Sequence, residues 1–182
     1  TVNSILDSKI DAGSATTVAL TGAASVPTVG QKTKANIVIN NDLTSLTNTT
    51  GANQVEELTI SATKDAKLTL GAASIVDKLT VEGSKSITLT GAVTTEEIVN
   101  NLTAGTLTVK STDAGAIDFS KINANLIQIS AAGTAVTVKD NQNLSVTSDA
   151  AAALSSLVAK AGLSNVTTNL STSKNITALD VT

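Results

Sequence analysis

One short pattern recurs through most of this chain: an apolar residue, a polar residue and a second apolar residue. Examples are Leu79-Thr80-Val81 and Ile87-Thr88-Leu89, and Thr is the commonest middle residue. From Leu58 onward the triplets start about 8 to 11 residues apart, and every second triplet starts about 19 residues after the one before. Neighbouring side chains of a strand point to opposite faces, so each triplet predicts a short β-strand whose two apolar residues are buried.

Two all-β architectures accommodate such strands. The first is a parallel β-solenoid, in which each coil of about 20 residues contributes two short strands to stacked sheets. The alternative is an antiparallel β-sandwich, whose strands also recur every 8 to 12 residues or so. The triplets are shorter than average sandwich strands, and the tight-hairpin dipeptides Asn-Gly and Asp-Gly are absent. These features favour the solenoid, with the sandwich as the alternative.

In the solenoid, the middle Thr of each triplet is predicted to face outward, where it can stack on its counterpart in the next coil. The apolar residues of the triplets are predicted to point inward and to carry the fold. These predicted inward residues are Leu58, Ile60, Leu68, Leu70, Leu79, Val81, Ile87, Leu89, Leu107, Val109, Ile117, Phe119, Ile127, Ile129, Val136 and Val138.

The triplets divide the chain into three parts. Residues 35–147 are predicted to form the solenoid repeats, and residues 1–34 an irregular N-terminal segment or end cap. Residues 148–182 are predicted to hold a helix and terminal strands, as a cap or assembly arm. The helix is predicted over 146–162, where Leu154, Leu157, Val158 and Ala161 form an apolar stripe before Gly162. A capping-box pattern, Thr94 with Glu97, predicts one further helical turn.

Composition excludes several classes of function. The chain has no His, Cys or Arg, and Phe119 is its only aromatic residue. Ordinary zinc, haem and iron–sulfur sites therefore cannot form, and most acyl- and phosphoryl-transfer centres lack their residues. Without aromatic or Arg contacts, and with a net charge of −3, a nucleic-acid partner is not expected. We predict a protein that is not an enzyme and requires no cofactor.

The acidic residues leave calcium as an open alternative, because oxygen ligands are what this ion requires. The candidate ligands are Asp113, Asp118, Asp140 and Asp149. The structural alternative is that they are turn residues, and Asp118 also occupies an outward-facing middle position. The adjacent acids Glu56-Glu57 and Glu96-Glu97 are predicted to be solvated, since neighbours on a strand face opposite sides. Lys residues interleaved with acids likewise predict a solvated face.

Three stretches resemble a known group of proteins: VEELTISAT (55–63), SKSITLTG (84–91) and AIDFSKINANLIQISAAGTAVTV (116–138). They are similar to the Thr/Ala-rich repeats of bacterial surface-layer proteins of the Caulobacter and Campylobacter type, and of related type I-secreted proteins. The resemblance covers roughly residues 36–147. It implies export, assembly into a sheet on the cell surface and, often, calcium dependence. The glycine-rich calcium-binding nonapeptides of that group are missing here.

Together these features predict a structural, self-assembling extracellular protein at the cell surface, as part of a surface layer or filament. Its expected partner is a second copy, in a homo-oligomer or lattice, and a cell-surface polysaccharide is a further candidate. No apolar run reaches the length of about 20 residues that a spanning helix needs, so membrane insertion is not expected. The alternative function is a stalk or passenger segment of a secreted adhesin. A β-helical enzyme acting on polysaccharide is a third hypothesis.

Overall fold

A computed structural model describes residues 1–23, 31–48, 54–71, 77–93, 97–129, 133–139, 142–146, 156–159, 165–168 and 178–181. Within these residues the chain forms eighteen short strands. The strands are β1 Val2–Ile5, β2 Asp7–Asp11, β3 Thr17–Gly22, β4 Lys34–Ile39, β5 Leu43–Asn48, β6 Glu57–Ala62, β7 Ala66–Leu70, β8 Lys78–Gly83, β9 Ile87–Gly91, β10 Glu97–Leu102, β11 Leu107–Ser111, β12 Gly115–Phe119, β13 Leu126–Ile129, β14 Gly133–Val138, β15 Asn143–Val146, β16 Ser156–Ala159, β17 Asn165–Thr168 and β18 Ala178–Val181. Among the described residues, no helix is long and apolar enough to cross a membrane.

The strands form three parallel sheets. All odd-numbered strands stack in chain order into one nine-stranded sheet, called here the long sheet. The even-numbered strands β2 to β10 form a five-stranded N-terminal sheet, and β12 to β18 form a four-stranded C-terminal sheet. Each turn of about 21 residues therefore adds one strand to the long sheet and one to a second sheet. This arrangement confirms the predicted parallel β-solenoid, and it excludes the antiparallel sandwich.

The interior consists of apolar columns that run from coil to coil. In the N-terminal sheet Leu58 is in register with Leu79, and Ile60 with Val81. In the long sheet Leu89 is in register with Val109. All sixteen predicted inward residues are buried, none more than 6% exposed. Fully burying one such side chain contributes about 1.5–3 kcal/mol, so the columns supply much of the stabilising free energy.

The N-terminal segment differs from its prediction. Three strands lie within residues 1–34, with β1 in the long sheet and β2 in the N-terminal sheet. The predicted irregularity is therefore wrong, and the solenoid begins at β1. The pattern is obscured there because small or polar residues take inward positions: Ser8 and Ala35 occupy the column of Leu58.

The predicted C-terminal helix is also wrong where the structure describes it. Ser156–Ala159 forms β16, which pairs in parallel with β14 and β18 and places Leu157 beside Val136. The flanking residues 147–155 and 160–164 lie outside the described residues. An apolar stripe of helical spacing was outweighed by the strand edge that the preceding coil offers, because local propensity is weaker than stacking. Glu97 likewise begins strand β10 and not a helical turn, while residues 94–96 lie outside the described residues.

The N-terminal sheet ends at β10, and the C-terminal sheet begins at β12. Asn100 takes the column position of Val81, and its Nδ2 donates to Asn125 Oδ1 at 3.0 Å. The same Asn125 oxygen accepts the Leu107 N–H at 2.6 Å. Beyond β10, in the part of the chain that the structure describes, the sheet continues only as a bridge between Ile98 and Ile122, and β12 starts the C-terminal sheet. A polar amide pair thus ends an apolar column where one sheet stops.

Candidate functional site

Each strand of the N-terminal sheet begins with a charged residue. In register these residues are Asp7, Lys34, Glu57, Lys78 and Glu97, so the sign alternates from one coil to the next. The residues that follow them in β4, β6, β8 and β10 are buried apolar side chains, so the charges themselves face outward. We call this set, with the extension described below, the charged row.

Ion pairs link neighbours within the charged row. Lys34 Nζ lies 2.9 Å from Glu57 Oε2, and Lys78 Nζ lies 4.0 Å from Glu97 Oε2. The hydrogen bond to Glu57 raises the pKa of Lys34 above the ordinary lysine value, and the charges of Glu57 and Asp7 act in the same direction. Between 32% and 52% of each of these four side chains is exposed. Such exposed pairs add little to stability, and their charge remains accessible to a partner.

Lys121 extends the charged row by one coil. Ile98 N donates to Lys121 O at 3.2 Å, and the Ile98–Ile122 bridge continues the same parallel register. Lys121 is exposed while Ile122 is buried, which places the lysine on the outer side one coil beyond Glu97. The complete charged row therefore has six members with strictly alternating sign.

The outward positions two residues after the charged row are uncharged from β4 to β10, whereas β2 has the exposed Lys9 there. Asn36, Thr59, Thr80 and Val99 are in register beside the charged row, and all four are partly exposed. Thr80 faces outward as predicted for a middle residue, and it lies beside Thr59 of the coil before. The outer face of the N-terminal sheet is therefore a row of alternating charge next to a strip that is neutral from β4 to β10, called here the neutral strip, with Lys9 at its β2 end.

The two adjacent glutamates at 56 and 57 do not form an acid/base pair. Glu56 Oε2 accepts the Thr33 N–H at 2.9 Å, whereas Glu57 bonds to Lys34 on the sheet's outer face. Glu56 is thus bonded to the backbone of the preceding coil, and not simply solvated as predicted. Glu96, of the second predicted pair, lies outside the described residues.

Side-chain oxygens at the corner before the long sheet also bond from coil to coil. Asp42 Oδ1 accepts the Lys67 N–H at 2.7 Å, and Asp65 Oδ1 accepts the Ser86 N–H at 2.9 Å. Ser86 Oγ accepts the Thr106 N–H at 3.2 Å. Asp42, Asp65 and Ser86 border an open groove over the corner. Each acceptor oxygen thus forms a hydrogen bond with a backbone N–H of the next coil and joins the two coils.

Two of the four calcium candidates are described, and both bond to protein groups. Asp113 Oδ2 accepts the Val93 N–H at 2.7 Å and the hydroxyl of the fully buried Ser111 at 2.8 Å. Asp118 is exposed, and its Oδ1 accepts the Ser120 N–H at 2.8 Å. Asp140 and Asp149 lie outside the described residues. Within the described part of the chain, no three metal-ligating side chains come together, and calcium binding stays a prediction.

Replacing Asp113 by Ala is expected to lower the free energy of unfolding by about 1–3 kcal/mol, because it removes the acceptor of a buried hydroxyl and of a backbone N–H. Asp118→Ala is the matched control, and its expected loss is below about 0.5 kcal/mol because the side chain is exposed. Urea denaturation followed by circular dichroism measures both. Equal losses in the two variants would contradict the assignment of Asp113 as a link between coils.

Some other polar side chains that form hydrogen bonds in the structure could not be predicted from the triplet pattern. Asn48 is 6% exposed, and its amide pairs with both backbone groups of Val55, which joins the end of β5 to the residues before β6. Asn100 also escapes prediction, because an isolated Asn in a polar-rich chain is uninformative. Within the charged row only Glu57 and Lys78 directly precede a predicted triplet, so the triplet pattern indicates two of its members and not the row.

The fold and these contacts define a parallel β-solenoid whose corner and loop side chains join successive coils. No known protein family, curated protein or solved structure matches this chain.

Proposed function

We propose that this chain is a structural, self-assembling protein of the bacterial cell surface, contributing to a surface layer or filament. One observation supports this proposal above others: polar side chains at the corners bond to the backbone of the adjacent coil. Asp42, Asp65 and Asp113 each do so. Such bonds add to the backbone ladder along the axis and resist the separation of coils under load.

The proposed mechanism is mechanical. Backbone hydrogen bonds of the three sheets run along the solenoid axis, and the apolar columns pack in the same direction. Coil-to-coil contacts of this kind make a stiff rod whose stability grows with each added turn. Rods that contact one another laterally or end to end can tile a surface. The sequence resemblance to surface-layer repeats supports the extracellular location, and the proposal requires neither catalysis nor a bound cofactor.

The alternative is a stalk or passenger segment of a secreted adhesin. The same axial bonds favour it, because a stiff spacer needs rigidity but no contact between copies. The two functions differ in one measurable respect, which is whether the isolated chain assembles.

Electron microscopy of the purified chain tests the proposal across a range of concentrations, with and without added calcium. Ordered sheets or filaments are the expected result. Monodisperse single rods under every condition would overturn self-assembly and favour the stalk. A parallel screen for glycan cleavage is expected to find no activity, and reproducible cleavage would overturn both structural functions.

A further inference from the structure

We infer that the outer face of the N-terminal sheet is a contact surface for a second copy of this chain, docked face to face with the two solenoid axes antiparallel. The inference rests on the proposed self-assembly and names the surface and orientation that it would use. The charges of the charged row are complementary to those of a second copy, which identifies that copy as the partner of this face.

A row of six alternating charges is its own complement when it is reversed. A two-fold axis parallel to the strands turns the second row end for end and sets it opposite the first. Asp7 then faces Lys121 of the second copy, Lys34 faces Glu97, and Glu57 faces Lys78. Each of these contacts occurs twice by symmetry. A parallel second copy aligned coil for coil would instead place like charges opposite one another, which is unfavourable.

The neutral strip is compatible with the same arrangement. Reversal places Thr59 opposite Thr80 and Asn36 opposite Val99 of the second copy. In the third outward row Ser61 comes opposite Glu82. Lys9 and Asp11 of β2 come opposite the coil of Lys121, so Asp11 does not face Glu82. Small and β-branched side chains leave the face flat enough for two sheets to approach.

The size of the face predicts a weak contact. Five strands at about 4.8 Å and about 18 Å of strand length give roughly 430 Å² per copy, or about 850 Å² in total. This lies below the area of standard stable interfaces, so the contact is expected to be transient in dilute solution and to matter where copies are crowded. Because its specific part is electrostatic and exposed, association is expected to weaken as salt is added.

Two charge variants test the inference by sedimentation equilibrium of the full chain. Glu57→Lys sets lysines opposite one another at the centre of the contact and is expected to weaken dimer formation about tenfold or more. The double variant Glu57→Lys/Lys78→Glu restores opposite charges across the two copies while still disrupting the ion pair of Lys34. It is expected to return to within about threefold of the wild-type affinity. Thermal unfolding of each variant serves as the control for folding.

Mixing experiments with fluorescently labelled chains determine the relative orientation of the two copies. Wild type and the double variant are expected not to form mixed dimers, because positions 57 and 78 then carry like charges across the contact. A preference for mixed dimers would overturn the antiparallel arrangement. Association that is unchanged in both variants would overturn the inference but leave self-assembly through another surface. Association that is lost in both, while they remain folded, would overturn the antiparallel pairing of positions 57 and 78. Absence of association in every chain, at every concentration, would overturn the proposed function as well. If these variants do not fold, Lys34→Glu with and without Glu97→Lys forms an equivalent pair.

Discussion

Leu79→Asp is expected to unfold the solenoid at ordinary temperature. Leu79 is completely buried in the column between Leu58 and Ile98. A carboxylate at that position has no cationic partner inside the column, and burying an unpaired charge costs several kcal/mol beyond the apolar contacts that are lost. Domains of this size are stable by about 5–15 kcal/mol, so one such change removes a large part of that margin.

Circular dichroism and a thermal melt measure the effect. The expected result for Leu79→Asp is loss of the β-sheet signal, or a melting temperature lowered by ten degrees or more. Thr80→Ser is the matched control, because Thr80 is the next residue and lies on the outer face, where a lost methyl group costs below about 0.5 kcal/mol. An unchanged melting temperature for Leu79→Asp would show that the inward assignment is wrong.

Gly105→Ala is expected to have the second largest effect. Gly105 has a φ of +78°, and a Cβ added there would lie 2.7 Å from the backbone carbon of Lys85 and from the backbone nitrogen of Ser86. Those atoms belong to the preceding corner and cannot yield as a flexible side chain would. Gly105→Ala is therefore expected to lower the free energy of unfolding in two ways. Overpacking costs about 1–3 kcal/mol, and the strain of a left-handed alanine costs about 1–2 kcal/mol more.

Gly115→Ala separates these two contributions. Gly115 has a similar φ of +85°, but a Cβ added there meets no atom within 4 Å. Gly115→Ala is therefore expected to lower the free energy of unfolding only by the backbone strain, about 1–2 kcal/mol. Urea denaturation of both variants gives the difference directly. Equal losses would mean that the close approach of the two corners at Gly105 does not contribute to stability.

The inward residues could be predicted because their signal is local. Leu79 and Val81 flank Thr80, and strand alternation assigns them to one face without knowledge of any other coil. The same rule holds for Ile117 and Phe119, and all four are buried. The parallel fold followed from the shortness of the triplets and from their spacing, which left little room for hairpin-linked sandwich strands.

The errors occurred where local pattern and stacking disagree. Leu157 and Val158 fit a helical stripe, yet they lie in β16, because the neighbouring strands β14 and β18 offer backbone partners on both sides. Ser8 gave no sign of an inward position, although register with Ala35 puts it in the column of Leu58. In both cases the deciding interaction comes from another coil, and a window of adjacent residues does not contain it.

The charged row shows most clearly what the sequence determines and what the tertiary structure decides. Alternation within each triplet, and hence the buried face of each strand, is set by neighbouring residues whose side chains must point to opposite sides. Which residue of one coil lies over which residue of the next depends on loop lengths, and these differ along the chain: Lys34 is 27 residues after Asp7, whereas Glu97 is 19 after Lys78. In the sequence these charges therefore form no periodic motif. Folding aligns them because backbone hydrogen bonds between parallel strands fix the register, and buried columns penalise any slip by one residue.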